Sequence, residues 1–175
     1  MVAKTFGSAV SGVDANLITV EVNVGQGTSF FMVGLPDSAV KESQQRVESA
    51  LKYFNFRMPR QKVVINLAPA DIRKEGSSYD LPIAMGILQA SEQVDFPELD
   101  RYVIMGELSL DGQLRPIKGV LPIAIEARKR GFKGFILPLE NAKEASIVNS
   151  LDIIGVESLD QAVDFLQGNL EITPL

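Results

Sequence analysis

A chain of 175 residues with 17 Lys and Arg against 22 Asp and Glu carries a formal charge of −5, and it contains no Cys, no His and no Trp. Those absences exclude a disulfide framework, thiolate-bound zinc or iron–sulfur sites, a thiolate nucleophile, a Ser-His-Asp triad and a facial-triad iron centre. Hydrolysis is left with Ser or Thr beside Lys, or with carboxylates, and the net acidity speaks against a surface that coats nucleic acid throughout, because neutralising phosphates needs a clustered excess of Lys and Arg.

The length fits one domain with its own core, and a composition 46% hydrophobic and 22% charged is that of an ordinary globular protein. The longest apolar runs, Leu81 to Leu88 and Val120 to Ile125, fall far short of the ~18 residues of a membrane helix. No basic-then-apolar leader opens the chain. With no Cys to place it in an oxidising compartment, the protein reads as cytoplasmic.

Val2 to Ser11 and Leu17 to Val24 alternate with period two around the turn residues Gly12, Asp14 and Asn16. Gln26-Gly27-Thr28 leads to a third run, Ser29 to Val33, so short connections predict a β-meander. Asp37 or Ser38 caps a helix with Val40, Val47, Ala50, Leu51 and Phe54 on one face. Lys62 to Ala68 is β-branched and nearly all apolar, as a strand buried on both faces would be. A polar stretch, Asp71 to Asp80, opens a second helix from about Leu81 to Ser91, with Ser78 or Asp80 as its cap. Tyr102 to Leu110 and Gln113 to Ile117 flank Asp111-Gly112, a strong hairpin signal. A third helix, Gly119 to Arg130, ends in Arg128, Lys129, Arg130 and Gly131. Strands at Lys133 to Leu137 and Leu151 to Val156 bracket a helix at Glu140 to Val148, and Ser158-Leu-Asp-Gln161 is a capping box for a last helix, Leu159 to Leu166. Residues 168–175 read as a tail or linker after a domain spanning 1–167. Three strands before any helix predict a mixed sheet, α+β or α/β, rather than a doubly wound parallel one.

No Walker A sequence occurs, and Gly25-Gln-Gly27 joins two strands, which is not the context of a dinucleotide fingerprint. The stretch Asp71 to Asp80 is the densest in chemistry. Gly76-Ser77-Ser78 at a helix N-terminus supplies amides suited to an oxyanion, and Ser77 or Ser78 could act as a nucleophile if a Lys such as Lys74 were desolvated beside it; a plain helix cap is the simpler alternative. Arg57, Arg60 and Lys62, following Tyr53, Phe54 and Phe56, combine cations with aromatics as single-strand binders do, or serve a structural or subunit contact. Carboxylates such as Glu107 and Asp111 show no metal-site spacing.

Two segments, Lys74-Glu-Gly-Ser-Ser-Tyr-Asp-Leu-Pro-Ile and Gly106-Glu-Leu-Ser-Leu-Asp-Gly-Gln-Leu-Arg-Pro-Ile-Lys-Gly, resemble the proteolytic domain of Lon-type proteases. Together with Lys4-Thr-Phe-Gly-Ser-Ala, Gly34-Leu-Pro-Asp37, Ala68-Pro-Ala-Asp71-Ile-Arg-Lys and Leu137-Pro-Leu-Glu-Asn141, they are still more similar to the N-terminal domain of the magnesium-chelatase-like AAA+ ATPases of the YifB/ComM type. The resemblance implies a ribosomal-protein-S5-domain-2-like fold, related to the Lon proteolytic domain, placed ahead of an AAA+ motor. It places Ser78 at the Lon nucleophile position and Leu121 where the partner lysine stands, so the dyad is incomplete and the chain alone is expected not to be an enzyme. Lys118 or Lys74 substituting for the missing base is the alternative to an incomplete dyad.

The resemblance further implies an accessory role in ATP-driven DNA processing such as branch migration, recombination and natural transformation. Arg57, Arg60, Lys62, Arg73 and Lys74 are the candidate nucleic-acid or partner contacts. This chain is expected to hold no cofactor, with ATP and Mg confined to the AAA+ module. The expected partners are that module, other copies in a homo-hexamer of the full-length protein, and DNA; no membrane is implied. A Lon-like hydrolase with a displaced lysine and a free-standing interaction module are the alternatives. Nothing in the sequence supports porphyrin metallation.

Overall fold

The structure is a computed structural model and describes residues 1–175. The period-two alternation of the first runs is satisfied by a long hairpin: β1 (Val2–Ser11) pairs antiparallel with β2 (Asp14–Gly25) from Val2↔Asn23 to Ser11↔Asp14. Ala3, Thr5, Val20 and Val22 face inward and are buried, while the alternate residues lie at the other face.

The third run does not complete a meander. β3 (Phe30–Val33) crosses over to lie parallel to β4 (Lys62–Ala68), and β4 in turn pairs antiparallel with β2. The reason lies in burial. β4 buries Val63, Ile65 and Leu67 and so is the better neighbour for β2, leaving the shorter β3 at the margin. β4 is fully buried on one face only; its alternate residues are exposed at Lys62 and half-buried beyond.

After Pro36 come a short helix α1 (Ser38–Lys41) and α2 (Ser43–Tyr53). Asp37 caps α1 through the Val40 N–H (2.8 Å), as the sequence predicts, and Val40, Val47, Ala50 and Leu51 are buried together. Helix α3 (Asp80–Ala90) is apolar all round, and every residue in it but Gln89 is buried, because it lies between the β1–β2 hairpin and α2. Neither Ser78 nor Asp80 caps it; Tyr79 occupies that position without a side-chain bond, and Asp80 is already helical.

The run from Tyr102 breaks into β5 (Tyr102–Ile104) in the main sheet and β6 (Glu107–Leu108), which forms a small ribbon with β7 (Leu114–Arg115) across the Asp111-Gly112 turn. Then follow α4 (Val120–Lys129), β8 (Gly134–Pro138), α5 (Leu139–Ala145), β9 (Asp152–Val156) and α6 (Leu159–Gln167), whose Ser158 cap is as expected. The main sheet has seven strands in the order β3-β4-β2-β1-β5-β8-β9. Its β3–β4–β2–β1 half is largely antiparallel and its β5–β8–β9 half parallel, joined at β1–β5 by the Phe6↔Val103 pair. The mixed sheet flanked by helices is thus the architecture expected. No helix is long and apolar enough to cross a membrane.

Candidate functional site

The segment before α3 has no strand ladder to fix it, and buried polar groups take that role. Lys74 is fully buried. Its ammonium donates to the Gly34 carbonyl (2.7 Å) and to the Pro69 carbonyl, and its own N–H reaches the Leu35 carbonyl (3.0 Å). The next link runs back: Asp37 N–H donates to the Lys74 carbonyl (2.9 Å), and the Asp37 carboxylate accepts from Gly76 N–H (3.1 Å). Gly34-Leu-Pro-Asp37 and Lys74-Glu-Gly76 are therefore one pinned unit. Gly34 is required in it, since at φ +104° a Cβ would stand 2.2 Å from the Leu67 carbonyl oxygen. Burial pushes the Lys74 amine below its ordinary value, with Asp71 opposing.

A second pin holds the start of α3. Asp80 is fully buried and accepts from Arg46 Nε (2.7 Å) and Nη2 (3.0 Å), from Ser43 Oγ (2.7 Å) and from Leu108 N–H (3.0 Å). This joins α2, α3 and β6. Burial pushes the Asp80 carboxyl up against the lowering effect of those donors, and the Asp80 hydrogen bond raises Arg46 in turn. Two guanidinium bonds, a hydroxyl and an amide on Asp80 favour its carboxylate form against that burial. Tyr79 completes the anchoring by donating its hydroxyl to the Ser8 carbonyl (3.0 Å), and burial raises the phenol well above its usual range.

Above these pins lies an open groove of about 570 Å³ at the seam between the two halves of the sheet, lined by Asp37, Ser77, Ser78, Glu107 and Lys118 beside the apolar Val10, Met105 and Ile123. Ser77 donates to the Glu107 carboxylate, which Arg115 also approaches (3.6 Å). Ser78 has a half-buried side chain with no hydrogen-bond partner, while its carbonyl accepts from Gly106 N–H (2.8 Å).

A model of the Mg-chelatase subunit ChlI family matches residues 20–141. The chain belongs to this family. It is 44% identical over 167 residues to competence protein ComM of Haemophilus influenzae, which covers 95% of this chain and 33% of the relative. It is also 44% identical over 161 residues to YifB of Escherichia coli, covering 91% of this chain and 32% of the relative. Lon protease 2 of Bacillus subtilis is 30% identical over 129 residues, 73% of this chain and 23% of that protein. The chain thus spans about a third of the length of the curated ComM and YifB relatives it matches.

In this ChlI-family domain the Ser78 hydroxyl has no lysine as hydrogen-bond partner. Leu121 lies in the first turn of α4, half-buried against the core. Lys74, named from the sequence both as a substitute base and as a surface contact, is neither: it is enclosed, with its ammonium engaged by two carbonyls. Lys118 does line the groove with Ser78, but it is exposed to solvent, without the burial that makes a lysine a base. Three or more acidic side chains nowhere gather as a metal site.

The cationic loop is built independently of the groove. Gln93 holds it by a two-way amide contact with the Arg57 main chain, accepting from its N–H (3.0 Å) and donating to its carbonyl (2.8 Å). Arg57 and Arg60 are exposed and line a cleft of about 460 Å³ with Gln61, Ser91 and Gln93, and no carboxylate takes part in the lining. Arg46, Arg73, Arg101, Arg115 and Arg130 each have a carboxylate within 4.0 Å, whereas Arg57, Arg60 and Arg128 have none. Lys62 lies next to this loop with its ammonium 5.5 Å from the centroid of the Phe31 ring. Arg73, in contrast, is paired with Glu75 (3.1 Å). The sequence does not single out Arg46 or Gln93, and it points to Asp80 only as a helix cap. An Asp opening a helix whose only other polar residue is Gln89 is the one signal of the second pin.

Proposed function

We propose that this chain is the non-catalytic N-terminal accessory domain of a magnesium-chelatase-like AAA+ ATPase that processes DNA, and that it contributes DNA contact through Arg57, Arg60 and Lys62. ATP and Mg belong, on this reading, to the AAA+ module, and the full-length protein works as a homo-hexamer. The observation that carries the non-catalytic part is Leu121 packed on the core at the position the resemblance gives a Lon-type lysine, with the buried Lys74 ammonium engaged by the Gly34 and Pro69 carbonyls. The similarity to competence protein ComM supports the DNA-processing part.

A serine-directed phosphonate should leave Ser78 unlabelled, and the chain should cleave no peptide. Peptidase activity abolished by Ser78→Ala would overturn the reading in favour of a hydrolase using Lys118. For DNA contact, fluorescence anisotropy should show weak, salt-sensitive binding. Replacing Arg57, Arg60 and Lys62 with Ala should weaken it and flatten the log–log salt slope by about 0.7–0.9 for each phosphate no longer neutralised. A slope unchanged in the triple variant would remove this loop from the interface.

A further inference from the structure

Strand β1 runs on where one of its neighbours stops. It pairs with β2 at every residue, but with β5 only at Phe6↔Val103. β5 ends at Ile104 and the chain turns away there, with Met105 N–H donating to the Ile136 carbonyl (3.1 Å) and Gly106 N–H to the Ser78 carbonyl (2.8 Å). The Ser11↔Asp14 pair closes the two-residue turn of the hairpin and so exchanges both of its hydrogen bonds. By alternation the main-chain groups of Ala9 then point toward β2, and those of Ser8 and Val10 away from it. The Ser8 carbonyl is taken by the Tyr79 hydroxyl (3.0 Å). The Val10 N–H and C=O have no strand beside them, and Ser8 and Val10 line the Ser78 groove.

The groove offers further free groups at the start of α3. The Ser77 and Ser78 N–H groups have no acceptor, and the Ser78 hydroxyl has no partner. Asp37, Glu75 and Glu107 bring three carboxylates to the lining, against Lys118 as its one cation. Arg73 meets Glu75 (3.1 Å) and Arg115 approaches Glu107 (3.6 Å). Asp37 has no such cation and accepts from two amides, the Val40 N–H (2.8 Å) and the Gly76 N–H (3.1 Å). Met105 and Ile123 supply apolar surface.

We propose that this groove docks an extended polypeptide segment of a partner protein, paired through its main chain with Val10 and carrying a Lys or Arg side chain to Asp37. A free N–H and C=O on one strand edge are matched by the C=O and N–H of another extended chain, which is the geometry of strand addition. The segment takes the place beside β1 that β5 leaves after Ile104, and an apolar residue next to its cation lies against Met105 and Ile123. The surplus of carboxylates attracts a cationic side chain and repels a phosphodiester backbone. The occupant is therefore a polypeptide, and the site stands apart from the DNA-contact reading, which uses the 57–62 loop. Binding of this kind uses main-chain groups and carboxylates, and asks no chemistry of Ser78.

The probe is a pool of acetylated, amidated seven-residue peptides with Arg at the centre and Ala, Val or Leu elsewhere, titrated into the ¹⁵N-labelled 175-residue chain. The Val10, Ser77 and Ser78 amide resonances should shift saturably, with a Kd of about 0.1–1 mM. A pool with Glu at the centre should bind at least about tenfold more weakly. N-methylation of every peptide amide, which removes the donors and leaves the charge, should abolish the shifts. Lys118→Glu, a change at an exposed position of the groove, should tighten the Arg pool about two- to fivefold. Val10→Pro removes an outward N–H and no bond to β2, so it should weaken binding with unchanged far-UV circular dichroism. No shift at these amides, equal binding of the Arg and Glu pools, or binding that survives N-methylation would each overturn the proposal. Saturable shifts of the same amides with an oligothymidylate, or with rising protein concentration alone, would also overturn it, by giving the groove to nucleic acid or to a second copy.

Discussion

The antiparallel and parallel halves of the sheet are held by different means. In the parallel half, β5 and β8 are buried at every residue, and the buried polar side chains there are Asn141, whose amide makes a two-way contact with the Ile117 main chain (2.9 Å each way), and Ser158, the cap of α6. In the antiparallel half, and in the irregular segments that connect it to the helices, Thr5, Ser8, Ser43, Lys74 and Asp80 are buried polar side chains. The difference follows from backbone regularity. A strand ladder satisfies its own N–H and C=O groups, whereas the irregular segments at 34–37, 69–80 and 105–106 close theirs partly on one another and partly on side chains, as the Gly34 and Pro69 carbonyls do on Lys74 and the Gly76 N–H does on Asp37. The groove with Ser78 forms where those segments meet.

The largest effect should come from breaking the pin at Asp80. Asp80→Ala strands the Arg46 guanidinium, the Ser43 hydroxyl and the Leu108 N–H at one site, and should destabilise the chain by about 3–5 kcal/mol in urea unfolding. If the loss belongs to the pair, adding Arg46→Met to Asp80→Ala should recover part of it; a fully additive double variant would show that the two side chains do not act as a unit.

Lys74→Met should cost less, about 2–4 kcal/mol, because it leaves two carbonyls unpaired but strands no charge. Its signature is in the pH dependence. The folded-state pKa of Lys74 lies below the unfolded value of 10.5, so in the window between the two the unfolded chain binds more protons and wild-type stability rises with pH. The stability gap between wild type and Lys74→Met should therefore widen as pH approaches 10.5. A gap independent of pH between 8 and about 10.5 would mean that burial of the ammonium carries no titration penalty.

These two residues also mark where the sequence can be read and where it cannot. The β1–β2 hairpin, β4, the helices and the Asp37 and Ser158 caps follow from alternation, periodicity and capping chemistry, all of which are local. The pairing of β3 with β4 is not local: it depends on which strand best covers β2, and short connections point to a meander instead. Lys74 misleads for the same reason. Its neighbours Asp71, Arg73 and Glu75 are exposed, and the carbonyls that enclose it belong to Gly34 and, across the turn, to Pro69. The assignment of Ser78 and Leu121 to two motif positions rests on residue identity alone and draws on no geometry.

The smallest effect sharpens the comparison at the groove itself, where two adjacent serines have opposite surroundings. Ser77 donates to Glu107, a carboxylate on the strand next to the Asp80 pin, and so belongs to the polar scaffold. Ser78 has a free hydroxyl facing the groove. Ser77→Ala should cost about 1 kcal/mol, the usual loss for one half-buried hydrogen bond, while Ser78→Ala should stay within about 0.5 kcal/mol of wild type. Thermal unfolding of the two single variants checks both. A Ser78→Ala loss as large as that of Ser77→Ala would mean that its hydroxyl is a further pin of the antiparallel half. An unchanged Ser77→Ala would confine the polar scaffold to the fully buried groups, because a hydroxyl bonded to a part-exposed carboxylate exchanges for water at little cost.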